Sequence, residues 1–339
     1  MKNSQIYYSV GALLYCPANQ KNIVASLQEE KFGTRFSLAL CLEDTINDNF
    51  VEEAENILVE SLKKIYISYQ KKNFYLPKIF IRIRNSGQIP RLVKALGQAC
   101  EILTGFIIPK FSPSNSQEFI QAIISANETS AGPIYMMPIY ESGAMIDLRT
   151  RYEILYQLKD DLDAVKDRVL NIRVGGNDLC HIFGFRRHAN ESIHRIAPVA
   201  NIFSDIITVY GSDYCISGPV WEYYSGENWE SGLRSEIADD KLCGFIGKTV
   251  IHPNQIRVVN EEYQVNRTDF NDAQEILNWN QTSNAYVSGN HARERMNEYK
   301  THTNWAQQTL YLAQTFGIRE DGASKNDAIN ENPKVILIG

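Results

Sequence analysis

Short apolar runs alternate with polar stretches along most of the chain. The runs are mostly continuous rather than alternating in polarity, which is typical of strands that are covered on both faces of a parallel sheet. Eight such runs lie at residues 11–17, 37–44, 78–84, 105–110, 133–141, 169–176, 213–219 and 248–253.

The polar stretches between the runs have helical spacing, and residues 51–69 show it best. A single stripe of this predicted helix is formed by Ala54, Ile57, Leu58, Ser61, Leu62 and Ile65. Asp44 and Thr45, or Asn47 and Asp48, are candidates to cap its beginning.

Strands that alternate with helices define βα units. Eight of them favour a closed (β/α)8 TIM barrel, an α/β fold, over an open doubly wound sheet. We therefore predict a TIM-barrel domain over residues 1–265. Residues 266–339 are more polar and mostly helical in pattern, so they predict an appended C-terminal helical segment.

The charge and composition of the chain argue against several kinds of binding partner. The formal net charge of −6 and the lack of a basic stripe argue against nucleic acid or an anionic membrane. No apolar run approaches the roughly 18 residues of a membrane helix, and the first residues lack a signal-peptide core. The six cysteines form no C-x-x-C pair, which argues against a zinc knuckle or a thioredoxin motif. Several of them lie within apolar runs, which predicts reduced, buried thiols in a cytoplasmic protein.

Charged residues stand where the apolar runs end. In a (β/α)8 barrel the carboxyl ends of all strands surround one mouth, so these charges converge on one pocket. Acids and arginines together imply a bound cation, a bound anion or both. The residues concerned are Glu43, Asp44, Arg82, Arg84, Lys110, Glu141, Asp178 and His252.

Glu141 and Asp178 are the candidate metal ligands, because one βα unit separates them and neighbouring strands could bring their carboxylates together. Two carboxylates without a nearby His or Cys ligand favour a hard cation, best Mg²⁺, which keeps several waters. The alternative is that each acid caps a helix or pairs with an arginine.

Arg82 and Arg84 share one strand parity and are predicted to face the same way. Inside a barrel, two arginines need an anionic ligand. Alternatively, one of them is the buried ion-pair partner of Glu43 or Asp44.

Two further stretches are candidates for ligand contacts. Gly175 and Gly176 permit close backbone approach and offer N–H donors, so they are candidate cofactor-binding residues. Arg186 and Arg187 either bind a carboxylate or phosphate, or form a solvated loop pair. For His252 we expect a structural role.

Six motifs, taken in order, resemble the citrate lyase β-subunit family. "LCLEDT" resembles its L-E-D-x-V segment, "FIRIR" its V-R-V-N strand and "GFIIPK" its G-x-x-L-P-K strand. "PIYESGAM" is similar to its I-E-T-A segment and "RVGGNDL" to its F-G-x-x-D-L segment. The most specific is "GFIGKTVIHPNQI", which resembles G-F-x-G-K-x-x-I-H-P-x-Q-I. The wider group is the HpcH/HpaI aldolase superfamily, and "GPVWEYY" and "MNEYKTHTNWA" resemble a divergent branch, the C–C bond lyases of the TIM-barrel fold.

The resemblance implies a (β/α)8 barrel, usually a trimeric or hexameric homo-oligomer, with Mg²⁺ at the carboxyl ends of the strands. By motif position, Glu141 and Asp178 match the metal-binding acids. Glu43 and Asp44 match the acidic pair that orients metal-bound water.

Three other positions match the motifs of the family less clearly. Arg82 matches the family arginine, and a shifted alignment selects Arg84 instead. Glu298 replaces an aspartate that in the family reaches a neighbouring subunit's site, and the sequence leaves open whether it acts in its own subunit. Residues 11–18 lack the Arg-Ser that helps to hold a coenzyme A or phosphate tail, which puts an acyl-CoA substrate in question.

The leading hypothesis is a Mg²⁺-dependent carbon–carbon lyase of aldol or Claisen type. It acts on a small oxo- or hydroxy-acid through an enolate whose charge the metal and an arginine stabilise. The alternatives on the same platform are phosphoryl or acyl transfer, and a non-catalytic binding subunit.

Overall fold

Eight parallel strands form the centre of this computed structural model, which describes residues 4–320 and residue 322. The strands are β1 (Ala12–Pro17), β2 (Phe36–Cys41), β3 (Lys78–Arg82), β4 (Leu103–Ile108), β5 (Tyr135–Tyr140), β6 (Ile172–Val174), β7 (Ile216–Ser217) and β8 (Lys248–Val250). Their spatial order is β7-β6-β5-β4-β3-β2-β1-β8. A bridge between Gly218 and Lys248 joins the two ends. The predicted (β/α)8 barrel is therefore confirmed.

The first helix precedes β1 and packs on the inner end of the barrel, and the other helices follow the strands and cover the outside. They are α1 (Gln5–Tyr8), α2 (Ile23–Gln28), α3 (Val51–Lys71), α4 (Gln88–Leu96), α5 (Ser116–Thr129), α6 (Arg151–Asp163), α7 (Gly176–Phe183), α8 (Ala197–Tyr210), α9 (Trp229–Cys243) and α10 (Pro253–Tyr263). Of the helices in the described part of the chain, none is both long and apolar enough to cross a membrane.

Helix α3 shows how the apolar pattern sets the packing. Its buried residues are Ala54, Leu58, Ser61, Leu62 and Ile65, the stripe that the spacing predicted, with Ile57 half-buried at its edge. The turn before α3 is capped by Asn47, whose side chain accepts a hydrogen bond from the Asn49 N–H at 3.0 Å. Helix α3 itself begins after Phe50 without a side-chain cap, so neither predicted pair caps it, and Asn47 of the second pair caps only the preceding turn.

An apolar cluster inside the barrel separates the mouth from the opposite end. It comprises Val10, Leu13, Ala39, Phe80, Ile107, Met137, Ile139 and Leu170. Other strand residues, such as Leu38 and Leu40, belong to the larger core that includes the surrounding helices. Polar side chains at the strand ends therefore stand above an apolar floor, where water is excluded from below.

A buried ion cluster anchors β8 to α9. Lys248 Nζ lies 3.0 Å from Glu236 Oε1 and 2.6 Å from Asp240 Oδ2, and all three side chains are fully buried. Lys248 is the lysine of the "GFIGK" motif. That motif therefore has a structural function at this position, because the lysine compensates two acids that the fold has removed from water.

After α10 the chain forms β9 (Val265–Asn266), α11 (Arg267–Leu277), β10 (Val287–Gly289), β11 (Met296–Glu298), α12 (Tyr299–Phe316) and β12 (Ile318–Arg319). Helix α12 packs on α11 and, through the stacked pairs Tyr8–Tyr311 and Tyr263–Phe316, on α1 and α10. The predicted division of the chain at residue 265 stays a prediction. Residues 321 and 323–339 of the predicted C-terminal segment lie outside the described residues.

We expect Lys248→Met to lower the free energy of unfolding by about 3–5 kcal/mol, because it leaves Glu236 and Asp240 buried without their shared cation. Denaturant unfolding followed by circular dichroism measures the change. The control is Lys64→Met, which removes an exposed pair with Glu60 at 3.7 Å and should cost less than about 1 kcal/mol. Equal losses in the two variants would show that the buried cluster has no special importance.

Candidate active site

A cavity of about 430 Å³ opens at the carboxyl ends of the barrel strands. Of the predicted site residues, the structure places Asp44, Arg82, Glu141 and Asp178 on its wall, together with the two glycines 175 and 176. Glu43 lies directly behind Asp44 and contacts Arg82. Residues that are far apart in sequence therefore share one pocket.

Arg82, the last residue of β3, is the electrostatic centre of this pocket. Its Nη2 lies 2.8 Å from Glu43 Oε2, 3.2 Å from Asp44 Oδ2 and 3.2 Å from Glu141 Oε1. Burial disfavours the charge, but Tyr15, Glu141 and Glu43 outweigh it and raise the pKa of Arg82. Its Nε–H is buried and has no acceptor among the described residues, so it is available to a ligand oxygen.

Glu43 and Asp44 form an acidic pair at the end of β2. Lys110 Nζ lies 2.5 Å from Glu43 Oε1 and 3.3 Å from Asp44 Oδ1. Burial, together with the hydrogen bond to Asp44, raises the pKa of Glu43. Burial also works against ionisation of Asp44, but Glu43, Arg82 and Lys110 prevail and lower its pKa. The half-exposed Asp44 is therefore the ionised carboxylate that faces the cavity.

Glu141 follows β5 and is almost fully buried. Its Oε1 accepts hydrogen bonds from the backbone N–H of Lys110 at 3.0 Å and from Arg82 at 3.2 Å. Burial raises the pKa of Glu141 to about 8; Arg82 opposes this shift and Asp178 adds to it. A cation bound beside Glu141 in addition to Arg82 would therefore stabilise the ionised form of this carboxylate.

Gly175 makes room for Glu141. A Cβ at this position would lie 2.2 Å from Glu141 Oε2, so any larger residue would displace the carboxylate. The Gly175 N–H donates to the carbonyl oxygen of Tyr140 at 3.2 Å and is not free for a ligand. The sequence predicted that this glycine offers a donor, whereas the structure gives it a steric function.

Asp178 lies in the first turn of α7, half-buried on the cavity wall beside Glu141. Its carboxylate has no hydrogen bond or ion pair with any residue that the structure describes. No set of three or more His, Cys, Asp or Glu side chains within residues 4–320 and 322 is placed to hold a metal. Glu141 and Asp178 are two carboxylates on the wall of one cavity, and such a pair would suit a hard cation such as Mg²⁺ that takes its other ligands from water and substrate.

Arg84 lies outside the cavity. Strand β3 ends at Arg82, so the predicted common direction of the two arginines does not hold beyond that point. Arg84 donates to the carbonyl oxygens of Leu42 at 2.6 Å and Glu43 at 3.0 Å, and also to that of Ile46. It fixes the loop that carries the acidic pair rather than facing a ligand.

Glu298 and His252 also lie away from the cavity wall of this chain. Glu298 precedes α12, and its N–H donates to His302 Nδ1 at 3.0 Å. Its contribution to a neighbouring subunit's site, and the oligomer itself, stay predictions. His252 forms a capping box with Gln255 at the start of α10, which is the structural role that the sequence predicted.

The two adjacent arginines of the loop after α7 have different environments. Arg186 reaches the cavity rim, 3.8 Å from Glu222, and is largely exposed. Arg187 is buried, 3.3 Å from Glu236, with its guanidinium 5.1 Å from the Trp221 ring centre. Only the first is positioned to meet an anionic ligand.

Three polar residues of the cavity were not among those that the sequence predicted. Tyr15, Arg173 and Thr249 line its inner part, and Arg173 donates to Thr249 Oγ1 at 2.6 Å. A signal for Arg173 was present, because it is a charged residue inside a continuously apolar run. Tyr15 and Thr249 carry no such signal.

The fold and the site define a (β/α)8 protein whose acids and arginines meet at the carboxyl ends of the strands, where barrels of this class bind their ligands. The chain belongs to the family of C–C bond lyases of the TIM-barrel fold, whose family model matches residues 4–318. This match confirms the branch that the motifs indicated. No match was found among curated proteins.

Solved structures share the fold at low sequence identity. A citrate lyase from Burkholderia xenovorans LB400 is 14% identical, with a TM-score of 0.68, and the match covers 92% of this chain and 94% of that one. The CitE protein of Mycobacterium tuberculosis in complex with magnesium, acetoacetate and coenzyme A is 17% identical, with a TM-score of 0.59 and coverages of 91% and 99%. The citrate lyase beta subunit of M. tuberculosis complexed with oxaloacetate and magnesium is 18% identical, with a TM-score of 0.50 and coverages of 77% and 99%.

We expect Gly175→Ala to lower the free energy of unfolding by about 1–3 kcal/mol, because the new methyl group overlaps the Glu141 carboxylate. The matched control is Gly143→Ala, where a Cβ would meet nothing within 4 Å, and it should leave stability unchanged. Thermal unfolding of both variants compares them. An unchanged melting temperature for Gly175→Ala would contradict the steric role.

Proposed function

We propose that this barrel is a Mg²⁺-dependent carbon–carbon lyase that cleaves a small oxo- or hydroxy-acid by an aldol- or Claisen-type reaction. The observation that carries the proposal is the pair of carboxylates Glu141 and Asp178. One is buried with a raised pKa and the other has no protein partner in the described chain. Membership in a family of C–C bond lyases supports the reaction type.

Glu141 and Asp178 are the residues that would hold the cation. Glu141 Oε1 is already engaged by the Lys110 N–H and Arg82, so Oε2 is the oxygen that would be left to bind a metal. When bound, Mg²⁺ supplies charge stabilisation for an enolate. The likeness to structures that contain magnesium with oxaloacetate or acetoacetate supports the same choice of cation and substrate class.

Arg82 would bind and orient the substrate. Its unsatisfied Nε–H offers a charge-assisted hydrogen bond to a carboxylate or carbonyl oxygen. The Nη2 of this arginine is itself held by both Glu43 and Glu141, so the side chain is preorganised and needs no rearrangement when charge develops nearby.

Asp44 would move the proton. In the cleavage direction, the hydroxyl proton of a hydroxy-acid passes to the ionised Asp44 carboxylate and a carbonyl forms as the C–C bond breaks. The electron pair goes to the enolate of the other fragment, beside Arg82. Returning that proton to the enolate carbon regenerates the carboxylate and releases the acid. Glu43 remains behind Asp44 and keeps Arg82 and Lys110 in place.

The free acid is the proposed form of the substrate. Residues 11–18 read "GALLYCPA" and lack an arginine or serine with which to hold a coenzyme A or phosphate tail. We therefore propose the carbon–carbon lyase reaction of the family on a free acid that carries no thioester.

We expect Asp178→Asn to weaken Mg²⁺ binding at least about ten-fold in calorimetry, because it removes one of the two anionic ligands. The control is Asp147→Asn, an acid bound to Arg149 in a nearby loop, which should bind Mg²⁺ like the wild type. Failure of the wild-type protein to bind Mg²⁺, or unchanged binding by Asp178→Asn, would refute the metal platform.

We expect Asp44→Asn to lower kcat about 10²–10⁴-fold while KM changes little, since the amide cannot accept the proton but keeps the shape. Turnover of a panel of 3-hydroxy acids and 4-hydroxy-2-oxo acids, with detection of the carbonyl product, measures it. Thermal unfolding of the variant serves as the folding control. Full activity of Asp44→Asn would exclude it as the proton acceptor.

A further inference from the structure

Arg173 is a buried cation without an anionic partner. It lies in β6 on the cavity wall and is 2% exposed. Its guanidinium donates to Thr249 Oγ1 at 2.6 Å and to Asn171 Oδ1 at 3.4 Å, and both acceptors are neutral. It forms no ion pair with any Asp or Glu of the described chain.

The other buried cations of the described residues all have acidic partners. These pairs are Arg82 with Glu43 and Glu141, Arg151 with Asp205, Arg187 with Glu236, and Lys248 with Glu236 and Asp240. Burial lowers the pKa of Arg173 although Tyr15 opposes this shift, whereas Tyr15 together with Glu141 and Glu43 raises the pKa of Arg82. A guanidinium stays charged even so, and an uncompensated buried charge is destabilising. The unpaired charge of Arg173 therefore lowers the free energy of unfolding, and a bound anion would offset this loss.

Arg173 lies deeper in the barrel than the acids. Its strand register pairs it with Ile139, and Glu141 comes two positions later in the same direction. Tyr15 lies between the two arginines, with its ring centre 5.8 Å from Arg82 Cζ and its hydroxyl close to Arg173. The cavity thus has an outer arginine neutralised by acids and an inner arginine that is not.

We propose that Arg173, together with the hydroxyl groups of Thr249 and Tyr15, binds a second anionic group of the substrate and so determines specificity. This inference rests on the proposed function. The oxoacid end of the substrate lies at Arg82 and the metal-binding acids, and a second carboxylate or phosphoryl-type group points inward to Arg173. A guanidinium is suited to both groups because its planar N–H donors match two of their oxygens.

The test compares three oxoacids that differ only at C3: pyruvate, oxaloacetate and phosphonopyruvate. We expect Mg²⁺-loaded wild-type protein to bind one of the two dianionic acids at least about ten-fold more tightly than pyruvate in calorimetry. Tighter binding of oxaloacetate would indicate a site for a carboxylate, and tighter binding of phosphonopyruvate a site for a phosphoryl-type group. Arg173→Gln should abolish that preference and leave pyruvate affinity within about two-fold. Arg149→Gln, at an exposed arginine bound to Asp147, is the matched control and should keep the preference.

A second experiment without metal tests this inference independently of the proposed function. In EDTA, malonate or inorganic phosphate should raise the melting temperature of the wild type but not that of Arg173→Gln. This result supports the inner anion site even where Mg²⁺ fails to bind and the lyase proposal fails. Arg173→Met should raise the melting temperature of the ligand-free protein, because it removes an unpaired buried charge.

Two outcomes would overturn the inference. One is equal affinity of the wild type for all three oxoacids together with no stabilisation by malonate or phosphate. The other is a parallel loss of pyruvate and dianion binding in Arg173→Gln with a lower melting temperature in Arg173→Met, which is the behaviour of a structural arginine.

Discussion

The site depends on one guanidinium, that of Arg82. It lies within 3.2 Å of carboxylates from the ends of β2 and β5, and without it these carboxylates would repel one another at the mouth of the barrel. Lys110 adds a second cation and a backbone N–H to the same acids. These two cations face the four carboxylates of Glu43, Asp44, Glu141 and Asp178, and this excess of acids is the physical ground for the proposed cation site.

The most specific motif of the chain serves the scaffold rather than the chemistry. In "GFIGKTVIHPNQI", Gly247 has a φ of +74° and lies so close to Gly11 that a Cβ would be 2.5 Å from its carbonyl oxygen. Lys248 neutralises two buried acids of α9, and His252 caps α10. A barrel closes only if its first and last strands meet in register, and this segment holds β8 against β1.

Much of the fold was predictable because continuous apolar runs mark strands covered on both faces, and all eight runs became barrel strands. The convergence of the strand-end acids followed from the same topology. Details that depend on a neighbour were not predictable. The direction of Arg84 depends on β3 ending at Arg82, and the role of Gly175 depends on the Glu141 carboxylate packing against it. The sequence shows Arg173 as a charge in an apolar run, but its lack of an acid partner is visible only in three dimensions.

The cavity is acidic at its mouth and basic further in, and this difference constrains the orientation in which a ligand can enter. The acids lie at the mouth, where Asp44 is half-exposed, while Arg173 lies further in, above the apolar floor formed by residues such as Phe80 and Met137. Electrostatic interactions strengthen as water is excluded, so an anion gains more from the inner arginine than from a rim residue such as Arg186. Under the proposed function, a dianionic acid would satisfy both ends in one orientation, with its metal-chelating end outward. Such an arrangement would fix which C–C bond faces Asp44 without requiring any movement of the barrel strands.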